Sequence, residues 1–419
     1  MKVLVIGGGG REHAIVKSLK KNKTITKIYA APGNGGISLD AECVSIKAVD
    51  VYSMTNFAVQ NDIDYAIVAP DDPLVLGMVD TLEEKGIRCF GPNKAAARIE
   101  GSKVFAKDLM KKYSIPTAAY ETFIDADAAT DYLRSDNVSF PIVIKADGLA
   151  LGKGVIIAEN VLVALDAIVD IMMNKRFGES GKRIVIEEFL TGPEVTILAF
   201  TDGKTIKTMV SSMDHKRAFD GNKGPNTGGM GVIAPNPHYT PIISAICEET
   251  IFKPTIRAMQ KEGYPFKGCL YFGLMLTPHG PKVIEYNCRF GDPEAQVVLS
   301  LLETDLFDIM QAVTDEKLNN IDIRWKNDSA ACIVLASGGY PAHYKTGLEI
   351  IEKREETEDC IVYHAGTEYR NGSFYTAGGR VLGVTSVAPS LNKALESAYK
   401  ACKNIDFEGK HYRKDIGLY

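Results

Sequence analysis

The chain of 419 residues is too long for one hydrophobic core and predicts two to four domains. With 45% hydrophobic and 24% charged residues it has a soluble globular composition, and a formal net charge of −5 removes the electrostatic reason to expect a nucleic-acid partner. Its longest notable apolar run, residues 269–276, is strand-sized and far short of the roughly eighteen residues that span a bilayer, so no membrane partner is expected.

The eight cysteines are scattered, with no C-x-x-C pair. That spacing predicts free thiols in a reducing, cytoplasmic compartment, without a disulfide framework or a zinc site. The histidines are equally dispersed, and a lone one such as His215 reads as a hydrogen-bonded structural residue.

Residues 3–6 predict a buried strand, 7–10 a tight glycine turn and 11–20 a helix. They run from apolar residues straight into glycines and then Arg11, Glu12 and His13, which is not the pattern of an export signal. Further strands at 28–31 and 65–69 end in Pro32-Gly33-Asn34 and Pro70-Asp71-Asp72-Pro73. Strand, turn and helix repeating at this spacing imply a parallel sheet with ligands at its carboxyl edge. A nicotinamide-dependent oxidoreductase is the first reading such a turn invites. It fails in detail: the third glycine of G-x-G-x-x-G falls on Glu12 or His13, and the second strand ends without the acid that holds a ribose. The turn still leaves N–H groups for an anion such as a sugar phosphate.

From residue 100 the texture changes. Ser102 caps a predicted helix that contains Lys103 and runs to about residue 113. Residues 120–190 read as a small α+β lobe. In it a strand at 141–146 carries Lys145, a loop at 147–154 holds Gly148, Gly152, Lys153 and Gly154, and a strand returns at 155–158. Five residues on from Gly148 stands Lys153 where a P-loop needs glycine, and a strand follows in place of a helix. The loop is either a plain hairpin turn or a flap over phosphates. A helix at 161–173 precedes an apolar strand that leads into Glu187, Glu188, Phe189, Leu190 and Glu194. Alone this is a strand end with a solvated charge pair; between lobes it could pair with a purine edge and ribose hydroxyls.

Residues 213–231 are long, polar and glycine-rich, without periodicity, and read as a substrate loop. A helix at 242–262 and a strand at 268–276 lead to residues 282–294. As a strand, 283–289 would place Glu285, Asn287 and Arg289 on one face about 7 Å apart. Carboxylate and amide oxygens suit Mg²⁺, and a guanidinium fork beside them suits a transferring phosphoryl group. A half-exposed scaffold strand would show the same alternation. A helical stretch to about residue 317, a linker at 318–329 and a β-rich module with one helix at 391–402 complete the chain.

Taken together the segments VLVIGGGGREH, APGNG, KADGLALGKGV, DHKR, GPNTGGMG, EYNCRFGDPE, HAGT and RKDIG, eight in order, closely resemble the phosphoribosylamine–glycine ligase family of the ATP-grasp superfamily. The resemblance covers essentially the whole chain and implies an α/β and α+β multidomain fold. Its parts are a parallel-sheet, Rossmann-like domain at 1–100, an ATP-grasp domain at 101–317 with the small lobe inserted, and a β-rich domain at 330–419. It implies a purine-synthesis reaction of ATP, glycine and 5-phosphoribosylamine through a glycyl phosphate, in a chain with this one activity. Mg²⁺ or Mn²⁺ is the implied cofactor, ATP a co-substrate, small molecules the only partners, and the monomer the working form.

Carried over by position, the resemblance makes Glu285 and Asn287 metal ligands, and Lys103 and Lys145 phosphate lysines. Gly152, Lys153 and Gly154 fall in the flap. Glu187, Glu188 and the Phe189–Leu190 backbone lie at the adenine, Glu194 at the ribose. Arg289 is expected to stabilise the moving phosphoryl group, with Lys145 as its catalytic partner. Asp214, Lys216, Arg217, Asn226 and Thr227 fall around glycine and the amine; Gly9, Gly10, Arg11, Glu12, Asn34 and Asp71 face the ribose phosphate. Asp71 stands where the family has glutamate, and the strand at 270–276 lacks the metal-binding acid many relatives carry. Another ATP-grasp ligase with a different acid or amine is the nearest rival.

Overall fold

The structure is a computed structural model and describes residues 1–150, 154–353 and 360–418. Near the amino terminus five parallel strands lie in the order Glu42–Cys43, Lys27–Pro32, Lys2–Gly7, Tyr65–Val68, Arg88–Phe90. Val3 to Ile6 are all fully buried because both faces are covered: Leu4 and Ile6 pack into one core, Val3 and Val5 into another. Strand order reverses at Lys2–Gly7, so the turns after it and after Tyr65–Val68 open on one crevice.

The central part is a four-stranded antiparallel sheet ordered Ile206–Thr208, Glu194–Asp202, Lys267–Thr277, Gly280–Asn287. The small lobe has its own antiparallel sheet, Tyr120–Phe123, Ile184–Glu188, Ile142–Ala146, Val155–Ala158, over a separate core that includes Leu133, Ile144 and Ile168.

A third sheet joins distant parts of the chain. Met213–Asp214 pairs with Gly231–Ala234, which pairs with Ser329–Ala336, and the sheet continues through Arg380–Ala388 to Cys360–His364. Two strands from within 101–317 are thus built into the carboxyl-terminal sheet. Residues 213–231 are also more ordered than their lack of periodicity suggests. Arg217–Phe219 and Lys223–Asn226 form a hairpin, turned by Gly221 at φ 70° and Asn222 at φ 56°, the left-handed backbone a tight hairpin needs. Among the described residues no helix is long and apolar enough to cross a membrane.

Candidate active site

Strand Gly280–Asn287 carries a bulge. Gly273 faces Glu285 and Leu274 faces Val283, which leaves Ile284 without a partner across the sheet. Beyond the bulge Glu285 and Asn287 keep a common face, but the strand ends at Asn287. Arg289 therefore does not arrive by strand alternation, as the sequence predicted. It is brought back by its own bonds: Nη2 donates to Asn287 Oδ1 at 3.2 Å and to Glu100 Oε1 at 3.0 Å, and lies 3.7 Å from Asp71 Oδ2. Its Nε is buried with no acceptor among the described residues, which suits an anionic ligand. Glu100 was not singled out from the sequence. It also accepts from the Cys288 N–H at 2.7 Å, and burial pushes its carboxyl up to about 7 against the pull of Arg289.

The Glu285 carboxylate is about one-third exposed, and its one ion-pair partner among the described residues is Lys216, at 4.0 Å. Burial raises this carboxyl, but Lys216, Lys145, Lys103 and Arg289 outweigh it and hold the group below the usual range. Among the described residues no group of three or more His, Cys, Asp or Glu could hold a metal ion. The donor set fits a hard cation nonetheless. Glu285 offers a loosely paired carboxylate, Asn287 Oδ1 keeps a lone pair beyond the one Arg289 uses, and two protein ligands suffice when phosphate oxygens complete the shell.

Lys145 projects from the small lobe toward the same place. Its Nζ donates to Glu187 Oε2 at 3.0 Å and to the bulge carbonyl of Ile284 at 3.1 Å. The second cation on Glu187 Oε2 is Lys107, also at 3.0 Å, from the helix Lys103–Lys112. Glu187 Oε1 is buried and has no partner among the described residues. Lys103 Nζ donates to Gly148 O at 3.0 Å, and Asp147 fastens the loop to that helix. Its Oδ1 accepts from Ser102 Oγ and the Val104 N–H, both at 2.9 Å, and its Oδ2 takes two bonds from Arg183. Gly154 closes the loop; Gly152 and Lys153 lie outside the described residues. The Glu188 side chain bonds Lys282 at 2.5 Å and the Ala119 N–H at 3.1 Å, Phe189 is exposed and Leu190 half-buried. Glu194 pairs with Lys216 at 2.8 Å, so that one ammonium links the expected ribose acid to Glu285.

At the parallel-sheet crevice, Glu12 is spent on the turn: Oε2 accepts from the Gly9 N–H at 2.6 Å and Oε1 from Arg11 Nε at 2.7 Å. Arg11 reaches on to Phe290 O at 3.0 Å, and its N–H to Asp292 Oδ2 at 3.3 Å. A Cβ at Gly10 would lie 2.4 Å from Nε2 of the buried Gln296, which donates to Asp292 Oδ1 at 2.9 Å. Asn34 is likewise committed, donating to Gly8 O at 2.9 Å and His364 O at 2.8 Å while accepting from the Ile37 N–H. Glu12 and Asn34 thus hold the turn with their side chains, and Glu12 takes up the Gly9 N–H in doing so. Asp71 begins the helix Asp71–Leu76. Burial raises its carboxyl, but Arg289 and Arg11 lower it further, so it stays below its ordinary value.

The hairpin region follows Lys216 directly in the chain. Thr227 Oγ1 donates to Lys216 O at 2.8 Å and accepts from the Gly229 N–H at 3.0 Å. Arg217 donates to Gly224 O at 2.8 Å and lies opposite Asn226. Gly229 has φ 111°, and a Cβ there would lie 2.6 Å from Asp214 Oδ1. Burial and the neighbouring Glu294 push the Asp214 carboxyl well above its usual range, and burial raises Glu294 too. Arg380, which joins Gly228 O to Asp292, was not identified from the sequence. It lies in the carboxyl-terminal strands, with no motif to mark it.

Comparisons with known proteins agree along the chain. Residues 1–100, 101–295 and 330–419 match the N, ATP-grasp (A) and C domains of phosphoribosylglycinamide synthetase. A phosphoribosylamine–glycine ligase of Caldanaerobacter subterraneus subsp. tengcongensis is 49% identical over 99% of both chains. The crystal structure of a phosphoribosylamine–glycine ligase from Thermotoga maritima is 32% identical, with a TM-score of 0.87 over 99% of this chain and 100% of that one. A biotin carboxylase from Campylobacter jejuni, 14% identical with a TM-score of 0.77 over 98% of this chain and 92% of its own, shares the fold.

Proposed function

The chain belongs to the phosphoribosylglycinamide synthetase family, and from that premise we propose that it joins glycine to 5-phosphoribosylamine with cleavage of ATP. It is an ATP-dependent C–N bond-forming ligase of purine synthesis. A carboxylate is a poor acyl donor because oxide would have to leave. In the proposed sequence a glycine carboxylate oxygen attacks the γ-phosphorus and ADP departs. The amine then attacks the carbonyl of the glycyl phosphate, phosphate departs, and the amine nitrogen loses a proton. No protein nucleophile is needed; positioning and charge neutralisation suffice.

The observation that carries the reading is the ring of cations around Glu285: Lys103, Lys145, Lys216 and Arg289, drawn from separate parts of the chain. Arg289, whose Nε has no acceptor among the described residues, faces the transferred phosphoryl group, and Lys103 and Lys145 face the donor's phosphates. Glu285 and Asn287 would hold Mg²⁺ or Mn²⁺, which when bound draws negative charge from the phosphate oxygens. The Oε1 of Glu187, without a partner among the described residues, suits the amino group of adenine, with the Phe189–Leu190 backbone beside it, and Glu194 suits the ribose. Arg11, Asp71 and the Gly10 backbone receive the ribose phosphate half of the amine. Asp214, Lys216, Arg217, Asn226 and Thr227 enclose glycine. The chain works as a cytoplasmic monomer on small molecules, without a nucleic-acid partner.

The test is ADP release with glycine, freshly made phosphoribosylamine and Mg²⁺. Release that requires all three is expected. Release equally fast without glycine, or faster with another amino acid, would point to a different ATP-grasp ligase.

A further inference from the structure

Glu187 is served by more positive charge than it needs. Two buried lysines, Lys107 and Lys145, place their ammonium groups 3.0 Å from the same oxygen, Oε2, while Oε1 has no partner among the described residues. A purely structural ion pair needs one lysine; two sharing one oxygen leave the cluster with a net positive charge.

The two lysines differ in their surroundings. Lys145 belongs to the cation ring: with Lys103 it acts on Glu285, and it also donates to Ile284 O, one residue away. Lys107 stands a step behind. Its Nζ donates to Thr117 Oγ1 at 2.9 Å, and Thr117 in turn donates to Val283 O at 2.7 Å, so the ammonium is fixed from two sides.

We infer that Lys107 is a positioning residue that carries the counter-charge of Glu187 so that Lys145 can turn to the nucleotide's phosphates. The inference rests on the reading of Lys145 as a phosphate lysine. With Lys107 present, Lys145 leaves behind a neutral Glu187–Lys107 pair when it engages phosphate. Without Lys107, the same movement would strand a buried carboxylate, which is strongly unfavourable, and Lys145 stays locked on Glu187.

The experiment measures affinity for ATP and for adenosine, which lacks phosphates, in the full chain and in variants checked for cooperative thermal unfolding. Lys107→Met is expected to weaken ATP about tenfold and adenosine by less than about twofold. The double variant Lys107→Met/Glu187→Gln removes the trap along with the counter-charge, and should recover most of the ratio of ATP to adenosine affinity even if Lys107→Met alone folds poorly. Parallel weakening of both ligands, or no recovery of the ratio in the double variant, makes Lys107 a structural residue only and overturns the inference. Lys145→Met separates the two claims. If it lowers the ratio while Lys107→Met does not, the phosphate reading stands and the inference falls; if Lys145→Met leaves the ratio unchanged, the reading itself falls.

Discussion

The Nζ of Lys145 donates to the carbonyl oxygen of Ile284 at 3.1 Å, and Ile284 is the residue that the bulge in strand Gly280–Asn287 leaves unpaired across the sheet. One irregularity in the central sheet therefore receives a lysine from the small lobe, whose core is otherwise its own. It does so next to Glu285, so the same distortion that docks the lobe also sets the spacing between a cation and a carboxylate. Bulges beside active sites re-aim side chains in this way.

Replacing Lys145 by methionine should lower kcat/KM for ATP by roughly 10²- to 10³-fold, the scale of losing one preorganised donor to a developing charge. Stability should fall by only about 1 kcal/mol, because Lys107 still neutralises Glu187. Steady-state kinetics paired with a thermal unfolding curve checks both parts. Unchanged kcat/KM would remove Lys145 from the phosphate site.

Glu285→Gln keeps the shape of the side chain and removes its charge. The Mg²⁺ concentration for half-maximal rate should rise about tenfold, because one of two protein oxygen donors becomes a weak neutral one. The fold should survive, since Lys216 retains Glu194 at 2.8 Å. A Mg²⁺ titration of the initial rate decides the matter; an unchanged midpoint would mean that this strand is scaffold.

Much of this was legible because the relevant signals are local. The apolar run at 3–6, the Ser102 cap and the Lys145 hairpin each depend on neighbours in sequence, and the structure has a strand at Lys2–Gly7, a cap bond from the Phe105 N–H to Ser102 Oγ and a paired hairpin. What the sequence hid is what distance makes. Glu100, Lys107 and Arg380 carry no motif, and they matter because folding sets them against Arg289, Glu187 and Asp292. Arg289 was selected for a geometric reason that does not hold, since its strand stops two residues earlier. Glu12 and Asn34 show the converse: polar residues in a turn expected to face a ligand, whose side chains the turn itself consumes.

Asp147 ties the start of the loop that follows it, at Gly148, to the helix that carries Lys103. Asparagine in its place keeps an acceptor for Ser102 and Val104 but turns an NH₂ group toward the two donors of Arg183. Asp147→Asn should cost about 2 kcal/mol in urea unfolding, the scale of losing charge-assisted hydrogen bonds to a carboxylate. It should raise KM for ATP more than it lowers kcat, because the loop is misplaced while the reacting groups remain. An equal fall in kcat with KM unchanged would contradict a role in holding the loop.

His215 provides a test by acid. The Gly417 N–H donates to its Nε2 at 3.1 Å while Nδ1 lies 3.1 Å from Gly231 O, so the neutral ring carries its proton on Nδ1 and fastens the expected substrate loop to the chain's last residues. Burial, aided by Arg413, pushes its pKa down to about 4 from 6.5. With the folded value depressed, the unfolded chain binds a proton first as pH falls. The stabilising contribution is therefore complete above pH 6.5 and is lost as pH falls through about 4, a total of roughly 3 kcal/mol. His215→Gln should flatten the dependence of unfolding free energy on pH across that window by nearly one proton, because His13 and His364, also buried, contribute equally to both chains. Parallel slopes for the two proteins would show that His215 is already charged in the folded state, and the bond from Gly417 would have to be drawn differently.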